Sequence, residues 1–476
     1  MTVHVPVLIV GGGISGLVCA HALNQAGVEA LVVEASGRPG GAIRTERRDG
    51  YLLELAPQSF SGTAPLLKLI ADLAIEDEML EAPPHAPRYV LVDGKLRQVP
   101  LSPPAFLTSG LIGLKTKWAI ARDLLGNSKP PEQDESVGAF VRRKFSAELL
   151  DRLVGPFVSG VYAGDPERLS LRSAFPTLHE AENSKSSVLR GLRFKSSQEP
   201  AQRPTLLSFR EGTETLIRAL AASLGERLRS GVEVVQLQAN RIAADEPAFR
   251  VTTRSVSQQE TLSADHVVIA TPADVAGRLL RSLEANVERL LAAIEYAPVA
   301  VVSLGYRRMD IGHALEGFGF LVPRSAGSRT LGTVWNSSLF QGRAPESHVL
   351  LTSFVGGATN PQVAALSHGE LTSLVQNEIG PVLEIRQDAR AGRSKPRPHE
   401  AVTLAPSFSN VTIYPRALPQ YNLGHSDRLA AVEQQRAKHT NLWLAGNYLR
   451  GPSIGACVEQ SLGVAQEILS RMKIKR

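Results

Sequence analysis

The first segment of the chain alternates apolar runs with glycines in an order that predicts its local fold. Residues 5–10 form a nearly continuous apolar run rich in valine, which is typical of a parallel strand covered on both faces. Glycines follow, then a helical pattern that ends near Gly27, then a second apolar run at residues 30–34. This order predicts a strand–helix–strand unit, so the fold class is α/β at this end and α+β over the whole chain.

The rest of the chain predicts a helical region and further strands. Residues 88–99 alternate between apolar and polar side chains around an Asp-Gly pair and predict a hairpin. Residues 105–190 predict mainly helices, and the polar segment 193–204, which contains two prolines, predicts a mobile loop. The remaining segments predict a helix at 213–229 and strands at 231–237, 248–254, 265–272, 297–306, 348–355 and 442–447.

The composition excludes several classes of redox protein. The chain has 476 residues, enough for about two to four domains and a large core. Its two cysteines, Cys19 and Cys457, could form at most one disulfide, and the sequence contains no CxxC, CxxCH or clustered Cys/His set. Dithiol, c-type haem and zinc chemistry are therefore not predicted, and no metal site is assigned. Any redox chemistry must come from a bound organic cofactor.

The net charge gives a weaker indication. An excess of +6 over 476 residues is mild, so a nucleic-acid partner is not predicted. The excess would suit an anionic substrate or an anionic membrane face. A slightly basic soluble protein accounts for it equally well.

Two features bear on membrane association. The longest uncharged stretch is interrupted by prolines and the N-terminus lacks a basic segment, so neither a transmembrane helix nor a signal peptide is predicted. Residues 111–125 combine apolar side chains and Trp118 with three cations, Lys115, Lys117 and Arg122. That is the composition of a helix lying on a membrane surface, and an amphipathic helix packed on a core is the alternative. The expected location is cytoplasmic, peripheral on the membrane.

Three glycines after the first strand predict a dinucleotide site. Gly11, Gly13 and Gly16 form a GxGxxG motif that follows a strand and opens a helix. The first allows a tight turn, the second lets the backbone approach a pyrophosphate, and the third lets the helix pack closely on the strand. The helix N-terminus offers N–H groups to the phosphates, and Glu34 is placed to accept the ribose hydroxyls. The negative charge of Glu34 argues against an NADP-type ligand.

A second glycine pair favours FAD over NAD. Gly40 and Gly41 follow the ribose acid closely, as in glutathione-reductase-type FAD domains, where a second backbone pass lies against the dinucleotide. The segment continues through Arg44 to Pro57 and Gln58. No second GxGxxG motif follows, so no separate NAD(P)H domain is predicted. Oxygen is then the simplest electron acceptor.

Five short segments occur in a characteristic order along most of the chain. They are GVYAGD at 160–165 with Leu169-Ser170, YAP at 296–298, GFGFLVP at 317–323, FVGG at 354–357 and PQYNLGH at 419–425. These segments and the glycine motifs resemble the flavin-containing amine oxidase superfamily and, within it, the oxygen-dependent protoporphyrinogen IX oxidases. The resemblance covers nearly the whole chain.

The resemblance implies a three-part fold and a reaction. The implied parts are a glutathione-reductase-type FAD Rossmann domain at 1–80, 205–290 and 425–476, a mixed-sheet substrate domain at 81–98 and 291–424, and a helical membrane-docking domain at 99–204. The implied reaction is FAD-dependent six-electron oxidation of protoporphyrinogen IX to protoporphyrin IX, with O2 reduced to hydrogen peroxide, the penultimate step of haem synthesis. A homodimer and a contact with a ferrochelatase are the implied partners.

The resemblance also implies roles for individual residues. Arg88 stands where the family has an arginine that pairs with a substrate propionate, and a guanidinium can grip a carboxylate bidentately. Leu321, Val334 and Phe354 fall where apolar side chains contact the pyrrole rings, and Gly319 would let the ring system approach the backbone. The expected cofactor contacts, from motif and resemblance together, are Gly11, Gly13, Ile14, Ser15, Gly16, Glu34, Gly41, Arg44, Pro57, Gln58, Val234, Asn447, Pro452, Ser453 and Ile454.

The sequence also departs from the family pattern. The turn near the flavin usually reads GVGxxDC, whereas here Ala456 replaces the aspartate and Pro452 removes an N–H. Ala42 stands where many amine oxidases carry arginine, which weakens the amine-oxidase interpretation. No catalytic base is predicted, because none of the 11 histidines lies in a nucleophile or metal pattern. Hydride transfer to a flavin fits that absence, since the protein then mainly orients the substrate.

Three rival functions remain open at this point. A coproporphyrinogen III oxidase acts on a related substrate with four propionates, and a single arginine does not distinguish the two substrates. An amine or carotenoid oxidoreductase would share the fold. A non-catalytic flavin-binding partner of haem enzymes is the third alternative.

Overall fold

A computed structural model describes residues 3–100, 102–126, 131–185, 187–191, 206–240, 248–386 and 404–474. The strands are β1 (Val3–Val10), β2 (Ala30–Glu34), β3 (Thr45–Arg48), β4 (Tyr51–Glu54), β5 (Phe60–Ser61), β6 (Met79–Glu81), β7 (Arg88–Val92), β8 (Lys95–Gln98), β9 (Leu206–Phe209), β10 (Leu228–Ser230), β11 (Glu233–Ala239), β12 (Phe249–Arg254), β13 (Gln259–Ile269), β14 (Tyr296–Arg307), β15 (Gly319–Leu321), β16 (Thr330–Trp335), β17 (His348–Gly356), β18 (Phe408–Pro419) and β19 (Leu442–Leu444).

The helices lie between these strands and at the C-terminal side. They are α1 (Ile14–Gln25), α2 (Ala64–Asp72), α3 (Pro103–Thr108), α4 (Leu114–Asp123), α5 (Val137–Lys144), α6 (Ala147–Leu149), α7 (Gly155–Tyr162), α8 (Leu171–Ala174), α9 (Pro176–Lys185), α10 (Glu214–Leu224), α11 (Ala273–Leu280), α12 (Ala285–Ala292), α13 (Asn336–Leu339), α14 (His368–Ile379), α15 (His425–Arg436) and α16 (Ile454–Ile474). The predicted loop at 193–204 lies outside the described residues.

The first sheet contains the predicted strand–helix–strand unit. Its order is β10-β2-β1-β13-β12-β11, with β19 beside β13, and β1 is parallel to both β2 and β13. Side chains of β1 alternate between two cores: Val7 and Ile9 pack on the side of α1, α10 and α16, while Leu8 and Val10 pack on the side of α11 and α12. Both faces of the sheet are therefore covered, which confirms the α/β prediction.

The second sheet is mixed and has two unlike faces. Its order is β18-β14-β17-β16-β15-β7-β8, with β15 parallel to β7 and the other pairs antiparallel. One face packs on α14 through residues such as Val302, Leu351 and Leu371. The opposite face turns toward the first half of the chain, through Val334 and Phe354 in a cluster with Leu206.

Helices α3–α9 form a region with its own core and a buried group of charges. Phe140, Val158 and Leu169 are fully buried there. Lys144 Nζ lies 3.0 Å from an Asp123 carboxylate oxygen and 3.1 Å from one of Glu182, and the three side chains are almost wholly buried. The helical prediction for residues 105–190 is thus confirmed over the residues described. Among those residues, no helix combines the length and apolarity needed to cross a membrane.

Candidate active site

Two glycines of the first turn are fixed by close approach of the backbone. Gly11 has φ +108°, and a Cβ placed there would lie 2.7 Å from the carbonyl oxygen of Ala270 at the end of β13. A Cβ on Gly16 would lie 2.0 Å from the carbonyl oxygen of Gly11. Both positions therefore need glycine for the fold itself, because any side chain would push apart β1, α1 and β13.

Gly13 is different, because the space beside it is open. It is the N-cap of α1 in an extended conformation, and a Cβ there would meet no atom within 4 Å. Since a helix leaves its first N–H groups without intrahelical acceptors, this end of α1 can bind a phosphate. Open space against bare backbone is what a pyrophosphate requires, so the turn fits the FAD that the sequence predicts.

Glu34 is held in place by three donors from the chain. Its Oε2 accepts the Gly12 N–H at 2.6 Å, and its Oε1 accepts the Ser36 N–H at 2.8 Å and the Ser36 hydroxyl at 2.7 Å. A carboxylate has about four acceptor positions, so capacity remains for ribose hydroxyls. The Val232 N–H donates to the Glu34 carbonyl oxygen at 2.8 Å, which brings the start of β11, with buried Val234, beside this carboxylate.

A second backbone pass runs beside the turn, as the Gly-Gly pair predicts. The Gly40 N–H donates to the carbonyl oxygen of Gly12 at 2.7 Å. A Cβ on Gly41 would lie 3.6 Å from the Cα of Gly13. Arg44 lies further out, exposed and ion-paired with Glu46.

The N-terminus of α16 meets that of α1. Ser453 caps α16, because its hydroxyl accepts the Ala456 N–H at 3.2 Å. The Cys457 thiol lies one turn into α16, near enough to the Ser15 side chain for that side chain to lower its pKa, but burial dominates and raises the pKa of this thiol to about 11. Pro452 is half-buried and Ile454 is buried beside the cap. Two helix N-termini therefore converge, even though the aspartate typical of the family is absent here.

Gln58 links the segment that follows β4 to the start of α13. Its amide nitrogen donates to the carbonyl oxygens of Glu54 and Ala56 at 2.9 and 3.0 Å, and its Oε1 accepts from Asn336 Nδ2 at 2.7 Å. The neighbouring Pro57 is half-buried. Gln58 thus has a structural role in the chain, and its expected contact with the cofactor remains a prediction.

The PQYNLGH segment holds the turn that follows β19. The Tyr421 hydroxyl donates to the Asn447 carbonyl oxygen, and His425 Nε2 lies 3.0 Å from the Tyr448 carbonyl oxygen. The two rings stack, with centroids 4.6 Å apart. Burial lowers the pKa of His425 to about 4, so the ring is neutral near pH 7 and donates from Nε2. This segment therefore positions Asn447, one of the expected cofactor contacts.

The predicted substrate residues come together on one face of the second sheet. Gly319 is paired with Val334 on β16 and with Arg88 on β7. Leu321, two residues after Gly319, shares its face because side chains alternate along a strand. Gly332, opposite Leu321, is in turn paired with Phe354 on β17. Strands from two distant parts of the sequence, β7 and β15–β17, therefore present Arg88 and the apolar row to the same side.

Position 319 has no room for a side chain, because β16 lies close beside it. Gly319 has φ +136°, and a Cβ there would lie 2.0 Å from the Thr333 carbonyl oxygen. Leu321 is packed by the helical region, since a Cβ on Gly160 of α7 would lie 2.6 Å from its Cδ2. The contact of Gly319 with a substrate ring remains a prediction.

Arg88 lies at the edge of this apolar row. Its guanidinium carbon is 5.6 Å from the ring centroid of Phe318, and the side chain is exposed. Phe318 belongs to the cluster that contains Val334 and Phe354. The cation therefore stands at the rim of an apolar surface, the arrangement that suits a flat apolar ligand with a carboxylate at its periphery.

One buried ion pair, between Arg343 and Glu54, lies where β4 meets β9, and no sequence motif points to it. Arg343 Nη2 donates to the Ser208 hydroxyl at 2.7 Å and lies 4.0 Å from a Glu54 carboxylate oxygen. Burial raises the pKa of Glu54, whereas hydrogen bonds from Thr213 and the charge of Arg343 lower it less. Burial likewise lowers the pKa of Arg343. Only the tertiary structure brings these residues together, because long stretches of sequence separate them.

Known proteins resemble the chain over nearly its whole length. The family model for flavin containing amine oxidoreductases matches residues 14–469. The chloroplastic protoporphyrinogen oxidase of Oryza sativa is 35% identical, covering 97% of this chain and 87% of that protein. The coproporphyrinogen III oxidase of Bacillus subtilis is 27% identical, covering 98% of both chains.

Solved structures share the fold. A protoporphyrinogen oxidase candidate from Exiguobacterium sp. 255-15 superposes with a TM-score of 0.78 at 24% identity, covering 98% of this chain and 99% of that one. Cyclohexylamine oxidase from Brevibacterium oxydans superposes with a TM-score of 0.65 at 18% identity, covering 98% and 99%. The chain belongs to the family of flavin-containing amine oxidoreductases. Its cofactor is FAD, as the Gly40-Gly41 pair after the dinucleotide motif predicts.

Proposed function

We propose that the chain oxidises protoporphyrinogen IX to protoporphyrin IX, with O2 as the electron acceptor and hydrogen peroxide as the second product. The observation that carries the proposal is the shared face of Arg88, Gly319, Leu321, Val334 and Phe354 in the second sheet. A porphyrinogen is a broad apolar ring with carboxylates at its edge. An apolar row with a cation at its rim matches that chemistry, whereas a small amine would need neither.

The residues of the chain would bind and orient the ring, and FAD, when bound, accepts two electrons as a hydride. Arg88 would anchor one propionate, and the apolar row would hold the ring and exclude water. Gly11 to Gly16 and Glu34 would bind the nucleotide half, while Asn447, Pro452, Ser453 and Ile454 would lie along the flavin. No proton-transferring side chain is assigned, in keeping with a step in which the cofactor performs the chemistry.

The experiment is aerobic turnover by the purified FAD-loaded enzyme. Protoporphyrinogen IX should give porphyrin fluorescence, with three molecules of hydrogen peroxide for each porphyrin, because the six electrons leave two at a time. Fluorescence without peroxide would point to another electron acceptor. Absence of any porphyrin would contradict the proposed function, and peroxide from an amine would instead favour an amine oxidoreductase.

Coproporphyrinogen III is the second candidate substrate. Two of the similar proteins, from Bacillus subtilis and Staphylococcus aureus, are named coproporphyrinogen III oxidases and are 27% and 25% identical over 98% of this chain. The enzyme should therefore be assayed on both porphyrinogens under the same conditions. A higher kcat/KM for the four-carboxylate substrate would transfer the assignment to coproporphyrinogen III.

We also propose that α4 lies on an anionic membrane surface. Leu114, Trp118 and Leu125 are 81%, 69% and 62% exposed, and Lys115 and Arg122 are exposed close by. Apolar side chains flanked by cations suit the interface of a bilayer. Vesicles containing anionic lipid should shift the emission of Trp118 to shorter wavelength, and Trp118→Glu should abolish co-sedimentation. Binding that Trp118→Glu leaves unchanged would contradict the role of this face.

Association with other chains and location remain predictions. A homodimer would appear as a doubled mass in light scattering, and a contact with a ferrochelatase as co-elution of the two proteins. The predicted peripheral position at the cytoplasmic membrane face can be checked by fractionation with and without high salt. The three-domain division, with boundaries near residues 80, 98, 204, 290 and 424, can be checked by limited proteolysis.

A further inference from the structure

The face that carries Arg88 continues onto β8, where it holds cations that the proposed function has not used. β8 pairs antiparallel with β7, and the register sets Arg97 opposite Val90 and Lys95 opposite Val92. Residues directly opposite each other in an antiparallel pair project from the same face. Arg97 therefore lies on the same face as Arg88 and Val90.

The packing of the hairpin supports this assignment of faces. Leu96 packs into the core on the α14 side of the sheet. Val90 and Val99 pack instead with Leu321, one of the expected substrate contacts. Because side chains alternate along a strand, Arg97 projects to the side of Val99 and not to that of Leu96.

Arg88 and Arg97 are diagonal neighbours. The Val99 N–H donates to the Arg88 carbonyl oxygen at 2.7 Å, and Arg97 lies two residues before Val99. Such neighbours are about 7–8 Å apart across an antiparallel pair. The two guanidinium groups can therefore bind carboxylates that a single ligand carries side by side.

No carboxylate among the described residues neutralises either arginine. Both are exposed, and within the described residues neither forms an ion pair with a carboxylate. In the neighbouring helical region, by contrast, Arg142 pairs with Glu167 at 2.5 Å. Two unpaired cations beside an apolar surface indicate an anionic ligand at this rim.

We propose that Arg97 is a second carboxylate anchor, which binds one propionate of a porphyrinogen while Arg88 binds another. The identity of the ligand rests on the proposed function. Porphyrinogens carry propionates on neighbouring pyrrole rings, so two adjacent guanidinium groups can hold two of them at once. Arg97 would then determine which edge of the ring faces the β7–β8 hairpin, and it acts in binding and orientation only.

The test is equilibrium binding of protoporphyrin IX to the FAD-loaded enzyme, followed by porphyrin absorbance, with the dimethyl ester of the same porphyrin as uncharged probe. Arg97→Gln should weaken binding of the dicarboxylate by about 10-fold, the loss of one charge-assisted contact. Binding of the diester should not change. Arg97→Lys should retain part of the affinity, since a point charge replaces the planar fork.

Lys95→Gln is the matched control. It removes a positive charge from the same strand and the same face, two residues nearer the turn than Arg97. It should change the dissociation constant of the dicarboxylate by less than about 2-fold. Unchanged dicarboxylate binding by Arg97→Gln, or an equal loss on the diester, would overturn the proposal. The measurement needs no turnover, so an enzyme that oxidises no porphyrinogen would count against the proposed function alone.

Discussion

The two seven-stranded sheets contribute to the proposed site in different ways. In the first, the functional positions lie beyond the end of a strand: β1 ends at Val10, and the turn that begins at Gly11 presents backbone and a helix end. In the second, they lie along the strands on one face, from Arg88 on β7 to Phe354 on β17. The proposed cofactor site therefore depends on the backbone of a few consecutive residues. The proposed substrate site depends on the register between β7 and strands that lie far from it in sequence.

This difference predicts different responses to substitution. Adding atoms at the turn of the first sheet should change the fold or the FAD affinity. The added atoms would occupy space that either the backbone or a bound phosphate fills. Changing an exposed side chain on the face of the second sheet, such as Arg88 or Arg97, should alter substrate binding while the fold persists, because neither side chain is packed in a core.

The largest effect is expected at Gly16. Gly16→Ala places a Cβ 2.0 Å from the Gly11 carbonyl oxygen, so α1 and the turn must move apart. We expect a loss of more than about 4 kcal/mol in the free energy of unfolding, measured by urea denaturation, or no folded protein. A variant that unfolds like the wild type would show that the turn can accommodate a side chain. The proposed difference in tolerance between the turn and the face of the second sheet would then be wrong.

Gly13→Ala is the matched substitution three residues earlier. Its backbone is extended and the new Cβ would meet no atom of the chain within 4 Å, so the stability of the apoprotein should be unchanged. FAD affinity should fall by roughly 100-fold, because the methyl group occupies the space that a pyrophosphate needs. Titration of the apoprotein with FAD measures this. A dissociation constant equal to that of wild type would show that the pyrophosphate lies elsewhere.

On the second sheet, Arg88→Ala should act on substrate binding. We expect KM for the porphyrinogen to rise by about 10-fold or more, the loss of a charge-assisted contact, with a smaller fall in kcat. Thermal unfolding should stay near that of wild type, since the side chain is exposed. A large loss of kcat at constant KM would contradict the anchoring role.

The smallest effect is expected at His425, in the PQYNLGH segment that connects β18 to the turn after β19. Burial keeps His425 neutral with a pKa of about 4, against 6.5 when unfolded. As pH falls below 6.5, the unfolded chain binds a proton that the folded ring does not, so stability decreases. Between pH 7.5 and pH 6 we expect a loss of about 0.8 kcal/mol from this residue.

Urea denaturation of wild type and His425→Gln at both pH values isolates that contribution. Burial also lowers the pKa of His21 and His313, but these contribute equally to both proteins and cancel in the difference. An identical pH dependence in the two proteins would show that His425 is accessible to solvent.

Much of the cofactor site could be predicted from local sequence. Gly11, Gly13 and Gly16 are separated by a fixed spacing, and Glu34 ends the next strand, so the chain geometry leaves them few alternative positions. Even so, the motif alone does not distinguish the roles of the three glycines. The structure separates them, because a Cβ at Gly11 or Gly16 meets the chain while one at Gly13 meets open space.

Less of the substrate side could be predicted. Arg88 was expected from a resemblance, whereas Arg97 lacked any motif and becomes a candidate only through its pairing with Val90. The alternation of side chains along the hairpin indicates that Arg97 and Val99, two residues apart, lie on the same face. The alternation alone does not indicate which face contacts the substrate.

Local sequence is sufficient to predict the strand–helix–strand unit, the dinucleotide turn and the lack of a thiol or metal redox motif, because each depends on residues close together in the chain. The tertiary structure is needed to show which face of the second sheet carries the proposed substrate residues, how Tyr421 and His425 hold the turn after β19, and how Arg343 meets Glu54. Those contacts depend on strand register and on packing between distant segments. The residues next to a position in sequence do not specify its strand register or its packing against distant segments.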